Sequence, residues 1–249
     1  MFRLLRLKPP NGWSAVGWEL AIVTIGVLMA LAAQQWVEGL SWRARTAASQ
    51  TQIREELGRH YANAVEWRAT YPCIDTQIDR LRTRLRSSGA TMNPAPIYRE
   101  GEYEYVLRIP SKVFTDTAWQ AAISDGVTSR FDPDVRRELS QHYSEIGKIT
   151  EMIRLNDLSR QRLATMASPL PLDPMVRFTL QSELETLSGR AEFLNNLFGR
   201  LIEHVQKVGM ISPADEARAL TERHGTFRFC KAQRLPMRAF EKAVQAASN

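Results

Sequence analysis

The longest apolar block in the chain lies near its start. From Leu20 to Ala33 no residue is charged, and Thr24 carries the one hydroxyl. Trp13 to Ala33 makes 21 residues, about 31 Å as a helix at 1.5 Å per residue. A hydrocarbon core is roughly 30 Å thick. The pattern predicts a transmembrane helix over residues 13–37, preceded by a short cytoplasmic N-terminus, 1–12. Trp13 and Trp18 mark one interface and Trp36 and Trp42 the other, depths that aromatic rings favour. Glu19 lies near one face of the span, where it either snorkels to the headgroups or meets a partner helix. Gly26 and Ala30 are a single small-xxx-small pair.

Beyond the span, apolar residues recur at helical spacing. Ile53, Leu57, Tyr61, Ala64 and Val65 mark a helical stalk over 38–70, interrupted at Thr70-Tyr71-Pro72. A helical-bundle domain is expected over 71–249. It opens with Ile74, Ile78, Leu81 and Leu85, opposite Arg80, Arg82, Arg84 and Arg86. That basic face is either solvated or set against anionic headgroups or an acidic partner. Residues 87–110 contain Gly89, Pro94, Pro96, Gly101 and Pro110 and read as a long loop. Within it Tyr103–Ile109 is a candidate extended segment without a visible partner strand.

A short helix is predicted at Thr115–Asp125, carrying Trp119 inward and stopped by Gly126. Asp132-Pro133 and Asp173-Pro174 are matching start signals, an N-cap followed by proline at the first helical position. They predict helices near 132–167 and 173–208. The second has Val176, Leu180, Leu184, Leu187, Ala191, Leu194, Leu197, Leu201, Val205 and Val208 at gaps of three or four, a core stripe. Leu187, Leu194 and Leu201 are expected to be buried. Ser212-Pro213 opens a further helix that Gly225 ends, and Lys231–Ala247 is read as a last one. The fold class is all-α.

Composition narrows the picture. Net charge is +6, and the excess is spread out, unlike a nucleic-acid surface. Gly 13 and Pro 12 in 249 residues argue against a disordered tail. Arg3, Arg6 and Lys8 flank the span on one side, Arg43, Arg45 and Arg54 on the other. The N-terminal group has no acid among it, which places the N-terminus in the cytoplasm and the main domain in the periplasm of a bacterial inner-membrane protein. The alternative is export, with a signal peptide cleaved after Ala32.

Candidate chemistry is sparse. His60, His142, His204 and His224 form no H-x-x-H or H-E-x-x-H pair, and no phosphate-binding, dinucleotide or nucleophile-elbow motif occurs. No catalytic, cofactor-binding or metal residue is assigned, and no cofactor or nucleic acid is expected. Cys73 and Cys230 are the two cysteines. They are either a disulfide, as an oxidising compartment favours, or two buried thiols.

Two patches resemble known sequences. Gly17-Trp18-Glu19-Leu20, the apolar run at 25–31 and Gln34-Gln35-Trp36-Val37-Glu38 are similar to a family of uncharacterised single-pass bacterial membrane proteins. Phe114 to Tyr143, with Thr117, Trp119, Gly126 and Tyr143, is the second patch. The resemblance implies a helical extramembrane domain and carries no activity or site residue. The expected function is a membrane-anchored interaction or scaffold protein. Its partners are the bilayer and either another protein or further copies of itself. The alternative is an extracytoplasmic enzyme or ligand sensor with a pocket near the 87–110 loop.

Overall fold

The computed structural model describes residues 12–100, 103–210 and 225–244. The N-terminal basic flank and the segment from Ser212 that was expected to be helical lie outside these residues. The fold is all-α, and among the described residues the strands form one small hairpin. It divides into two compact units, one ending at Ser49 and one beginning at Gln50.

The first unit consists of the leading part of helix α1 (Gly12–Ser87). Its apolar side chains face outward: Trp18 is 70% exposed, Leu28 60% and Trp36 71%. Near the N-terminus α1 is long and apolar enough to cross a membrane. The single hydroxyl of the apolar run is satisfied locally, since Thr24 Oγ1 donates to the Leu20 carbonyl at 2.7 Å. No polar hydrogen of that side chain is therefore left bare for hydrocarbon to meet.

The second unit packs the later part of α1 against α3 (Pro133–Leu163) and α4 (Pro174–Val208). Trp67 of α1 meets Phe198 of α4 with ring centroids 5.4 Å apart. Leu187, Leu194 and Leu201 are fully buried, the inward stripe that the spacing of α4 predicts. Both long helices begin as their sequences dictate. The Asp132 carboxylate accepts from the N–H groups of Asp134 and Val135, and that of Asp173 from Val176. Pro133 and Pro174 occupy the first helical turn, where a missing N–H costs nothing.

Three local expectations are corrected. Pro72 does not break the chain into stalk and bundle; α1 runs through it. A mid-helix proline costs about 3 kcal/mol, but here it sits within a buried stretch. Trp67, Cys73, Ile74 and Ile78 all lie in the core, and burying such side chains contributes about 1.5–3 kcal/mol each. In the turn before Pro72, the Ala69 carbonyl accepts from the Arg238 N–H. The segment expected to be a stalk up to residue 70 thus contributes Ile53, Leu57, Tyr61 and Val65 to the core from Gln50 onward.

The loop at 87–110 has structure of its own. Strand β1 (Tyr98–Glu100) pairs antiparallel with β2 (Tyr103–Tyr105). The partner strand was inside the same loop, too short at three residues for an alternating pattern to register. Residues 90–95 also run against the α3–α4 connection, with Met92 N–H bonded to Leu170 O and Ala95 N–H to Met166 O.

Gly225 is the first residue of a helix, α5 (Gly225–Ala232); the helix it was expected to end lies outside the described residues. The φ of Gly225 is +67°, and a Cβ there would lie 2.7 Å from Glu66 Oε1. Conformation and close approach both require glycine. The predicted helix at Lys231–Ala247 is replaced by the end of α5 at Ala232 and a single turn, α6 (Phe240–Ala243). Between β2 and α3 lies α2 (Thr117–Ser124), followed by Gly126 at φ 70°.

Candidate functional site

In the first unit, Trp13 belongs to α1 by its backbone. Trp18 and Trp36 are exposed and Trp42 is half-buried, with the Arg45 guanidinium 5.4 Å from its ring centre. Trp18 and Trp36 are eighteen positions apart in one helix, about 27 Å at 1.5 Å per residue, close to a bilayer's apolar thickness. Glu19 is exposed. Gln34 Nε2 donates to Glu38 Oε1 at 3.0 Å, one turn on.

The densest group of titratable side chains is in the second unit, where none was assigned from the sequence. Glu56 on α1 is fully buried. Its carboxylate accepts from Thr115 Oγ1 at 2.6 Å and Thr117 Oγ1 at 3.2 Å on one oxygen. The other oxygen accepts from the Ala118 N–H at 3.2 Å and Tyr143 Oη at 2.9 Å. Asp116, the residue before α2, makes no side-chain cap. Glu56 therefore caps α2 from a distant part of the chain, placing negative charge where the helix dipole welcomes it.

One turn further along α1, His60 Nδ1 lies 3.0 Å from His142 Nε2. His142 and Tyr143 are neighbours on α3, so a single turn of α3 serves both the histidine pair and the carboxylate. Rings close the space around them. Phe114 lies 5.3 Å from His60, and Trp119 stacks on Tyr143 at 5.4 Å with planes 2° apart.

Burial sets the protonation states. It lowers the His60 pKa to about 4, against a partial rise from Glu56. It holds His142 well below the ordinary imidazole range, helped by the neighbouring His60. Tyr143 is driven far above its usual range, first by burial and then by the Glu56 charge. Burial thus keeps both imidazoles neutral, one ring donating its N–H to the other, beside a carboxylate whose donors are in place. Such an arrangement specifies packing. All the donors to Glu56 come from the protein itself.

Four residues of the 114–143 segment serve this cluster. Thr117 and Tyr143 donate to Glu56, Trp119 covers Tyr143, and Gly126 supplies the left-handed turn that ends α2. The sequence signal for Glu56 was its register. It lies on the same helical face as Ile53, Leu57 and His60, whereas its neighbour Glu55 points to solvent. His204 lies apart from the pair, 2.9 Å from Glu138, and joins α4 to α3. His224 is outside the described residues. Among the described residues no group of three His, Cys, Asp or Glu side chains is arranged to hold a metal.

Cys73 of α1 and Cys230 of α5 form a disulfide, with Cα atoms 6.0 Å apart. Both are fully buried and pack with Leu235, Phe229 and Met237. Beside them Gln77 clamps the chain leaving the hairpin. Its Nε2 donates to Arg108 O at 3.0 Å and its Oε1 accepts from Arg108 N at 2.8 Å. This amide takes the place of a neighbouring strand.

A cleft of about 530 Å³ opens between the end of α1 and the 87–110 loop, lined by Thr76, Arg80, Arg84, Asn93, Tyr98 and Val106. Arg84 reaches across to the Pro94 carbonyl at 2.8 Å. Arg80 is exposed. Arg82 turns away to Asp79 and Glu185, each at 2.7 Å. The arginines opposite the apolar stripe therefore differ in role, one bridging to α4, one holding the loop and one facing the cleft.

No family model, curated protein or solved structure matches this chain.

Proposed function

We propose that this protein is a single-pass membrane protein of the bacterial inner membrane. In this reading its N-terminus is cytoplasmic, and the unit from Gln50 onward is a periplasmic interaction or scaffold domain. One observation carries the reading: the helix that supplies Glu56, His60 and Trp67 to a folded core also carries, from Leu20 to Val37, apolar side chains that are exposed. Exposed apolar surface on that scale marks a membrane or partner contact. The Cys73–Cys230 disulfide supports an oxidising compartment for the second unit.

The test is carbonate extraction of membranes, followed by thiol labelling of denatured, non-reduced protein. Retention in the pellet with residues 1–32 intact and no reactive thiol is the expected result. A soluble form that begins at Ala33 would establish cleavage instead. Cross-linking in intact membranes then addresses the role, and one stoichiometric protein partner or a defined homo-oligomer is expected.

A ligand sensor is the second reading. The cleft of about 530 Å³ favours it, since small-molecule sites are typically about 300–1,000 Å³.

A further inference from the structure

A second groove, of about 310 Å³, lies between the hairpin and α5. Its lining includes Tyr98, Arg99, Tyr105, Arg108, Arg228 and Phe229. Tyr98 and Tyr105 are register partners in the hairpin and so project from the same face. Phe229 meets Tyr98 edge-on, with centroids 4.8 Å apart. Arg108 and Arg160 lie 5.5 Å and 4.5 Å from the Tyr105 ring centre. The result is an aromatic lining rimmed by guanidinium groups.

Among the described residues the charged side chains lining this groove are all arginines, and the neighbouring Arg160 pairs with Asp157 at 2.9 Å. Arg99 pairs with Glu104, but both side chains are mostly exposed, at 77% and 50%. A pair of that kind contributes little and can be exchanged for a ligand. Arg228 is exposed. Guanidinium groups are matched in shape and charge to carboxylate and phosphate, and aromatic faces accept a planar ring.

We propose that this groove binds a small organic anion: a planar ring bearing a carboxylate or a phosphate. The volume suits one ring with its acid group. Ring contacts come from Tyr98, Tyr105 and Phe229, and the anion is held by Arg228 with Arg99 or Arg108. The proposal goes beyond the membrane reading and does not depend on it. One wall is fixed by covalent chemistry, because Phe229 adjoins Cys230 and the disulfide holds α5 to α1. Reduction therefore loosens the site without altering any group that touches the ligand.

The experiment is calorimetric titration of the full-length chain in lipid nanodiscs with phenyl phosphate, benzoate, inorganic phosphate and phenol. At least one of the two ring anions should bind at least about tenfold more tightly than inorganic phosphate or phenol, a difference of about 1.4 kcal/mol. Arg228→Ala should weaken that binding by about tenfold or more and leave the thermal midpoint unchanged, because the side chain is exposed. Arg99→Ala provides a second variant should the first be unstable. Reduction should weaken binding as well. Three outcomes would overturn the proposal: no saturable binding of either ring anion up to about 10 mM, a decade above a dissociation constant of about 1 mM; inorganic phosphate binding as tightly as both ring anions; or wild-type affinity in both arginine variants.

Discussion

Glu56 shows what a buried charge asks of its neighbours. Its carboxylate is held by two threonine hydroxyls, a tyrosine and a backbone N–H. Removing one partner leaves the rest buried and poorly satisfied. Tyr143→Phe should destabilise by about 1.5–3 kcal/mol, the range for a hydrogen bond to a charged group, read by urea unfolding. Glu56→Ala should cost more, about 3–5 kcal/mol, and expose α2 to proteolysis. An unchanged midpoint for both would mean that the network contributes nothing. The histidines give a pH dependence with a definite sign. Unfolded His60 takes up a proton near pH 6.5, whereas the folded ring resists until about pH 4. Stability is therefore level above about 6.5 and falls as pH drops toward 4, by on the order of 3 kcal/mol from His60 alone. His142 acts in the same direction. Thermal midpoints measured from pH 8 to 4 should show the fall, and His60→Asn should make it shallower, leaving the part due to His142. None of this was legible as a site. Glu56 and His60 share one helical turn, but Thr115 and Tyr143 lie too far from them in sequence for any spacing rule to join the four.

Among the elements, those with local punctuation were legible and those decided by tertiary packing were not. Asp132-Pro133 and Asp173-Pro174 carry their own caps, so the starts of α3 and α4 follow from a few residues. Gly126 ends α2 for an equally local reason. Pro72 misleads because its penalty is real but smaller than what its buried flanks return. Gly225, at φ +67°, marks the start of α5, a boundary that sequence alone does not distinguish from a helix end. The α4 stripe supplies the clearest test at this scale. Leu194 is fully buried, and Leu194→Ala should cost about 2–5 kcal/mol, depending on how far the core collapses around the cavity. Phe178, 69% exposed on the same helix, should tolerate alanine within about 0.5 kcal/mol. Equal effects at the two positions would invert the assigned face of α4.

For the whole molecule, the bridge between Cys73 and Cys230 matters most, because it joins α1 to the last described helices across 157 residues. In the chain-entropy model a loop of that length contributes roughly 5 kcal/mol, less where the unfolded chain keeps structure. Cys230→Ser should lower the thermal midpoint. Limited proteolysis should then cut around α5 and α6 well before α3 and α4, which are held by their own stripes. Simultaneous loss of all four helices would show that the bridge supports the entire core. The pairing itself was open to a reading of the sequence because there are only two cysteines, whereas the shelter around them, with Leu235, Phe229 and Met237, was not.

The same separation sets an order of events during synthesis. At about 5–20 residues per second, a ribosome needs on the order of ten to thirty seconds to travel from Cys73 to Cys230. Throughout that interval the first thiol has no mate in its own chain. With only two cysteines, no scrambled intramolecular isomer exists, so every error must link two polypeptides. A chain that lacks Cys230 keeps Cys73 permanently in that waiting state. In an oxidising compartment it should accumulate as a covalent dimer, visible on a non-reducing gel and abolished by Cys73→Ser.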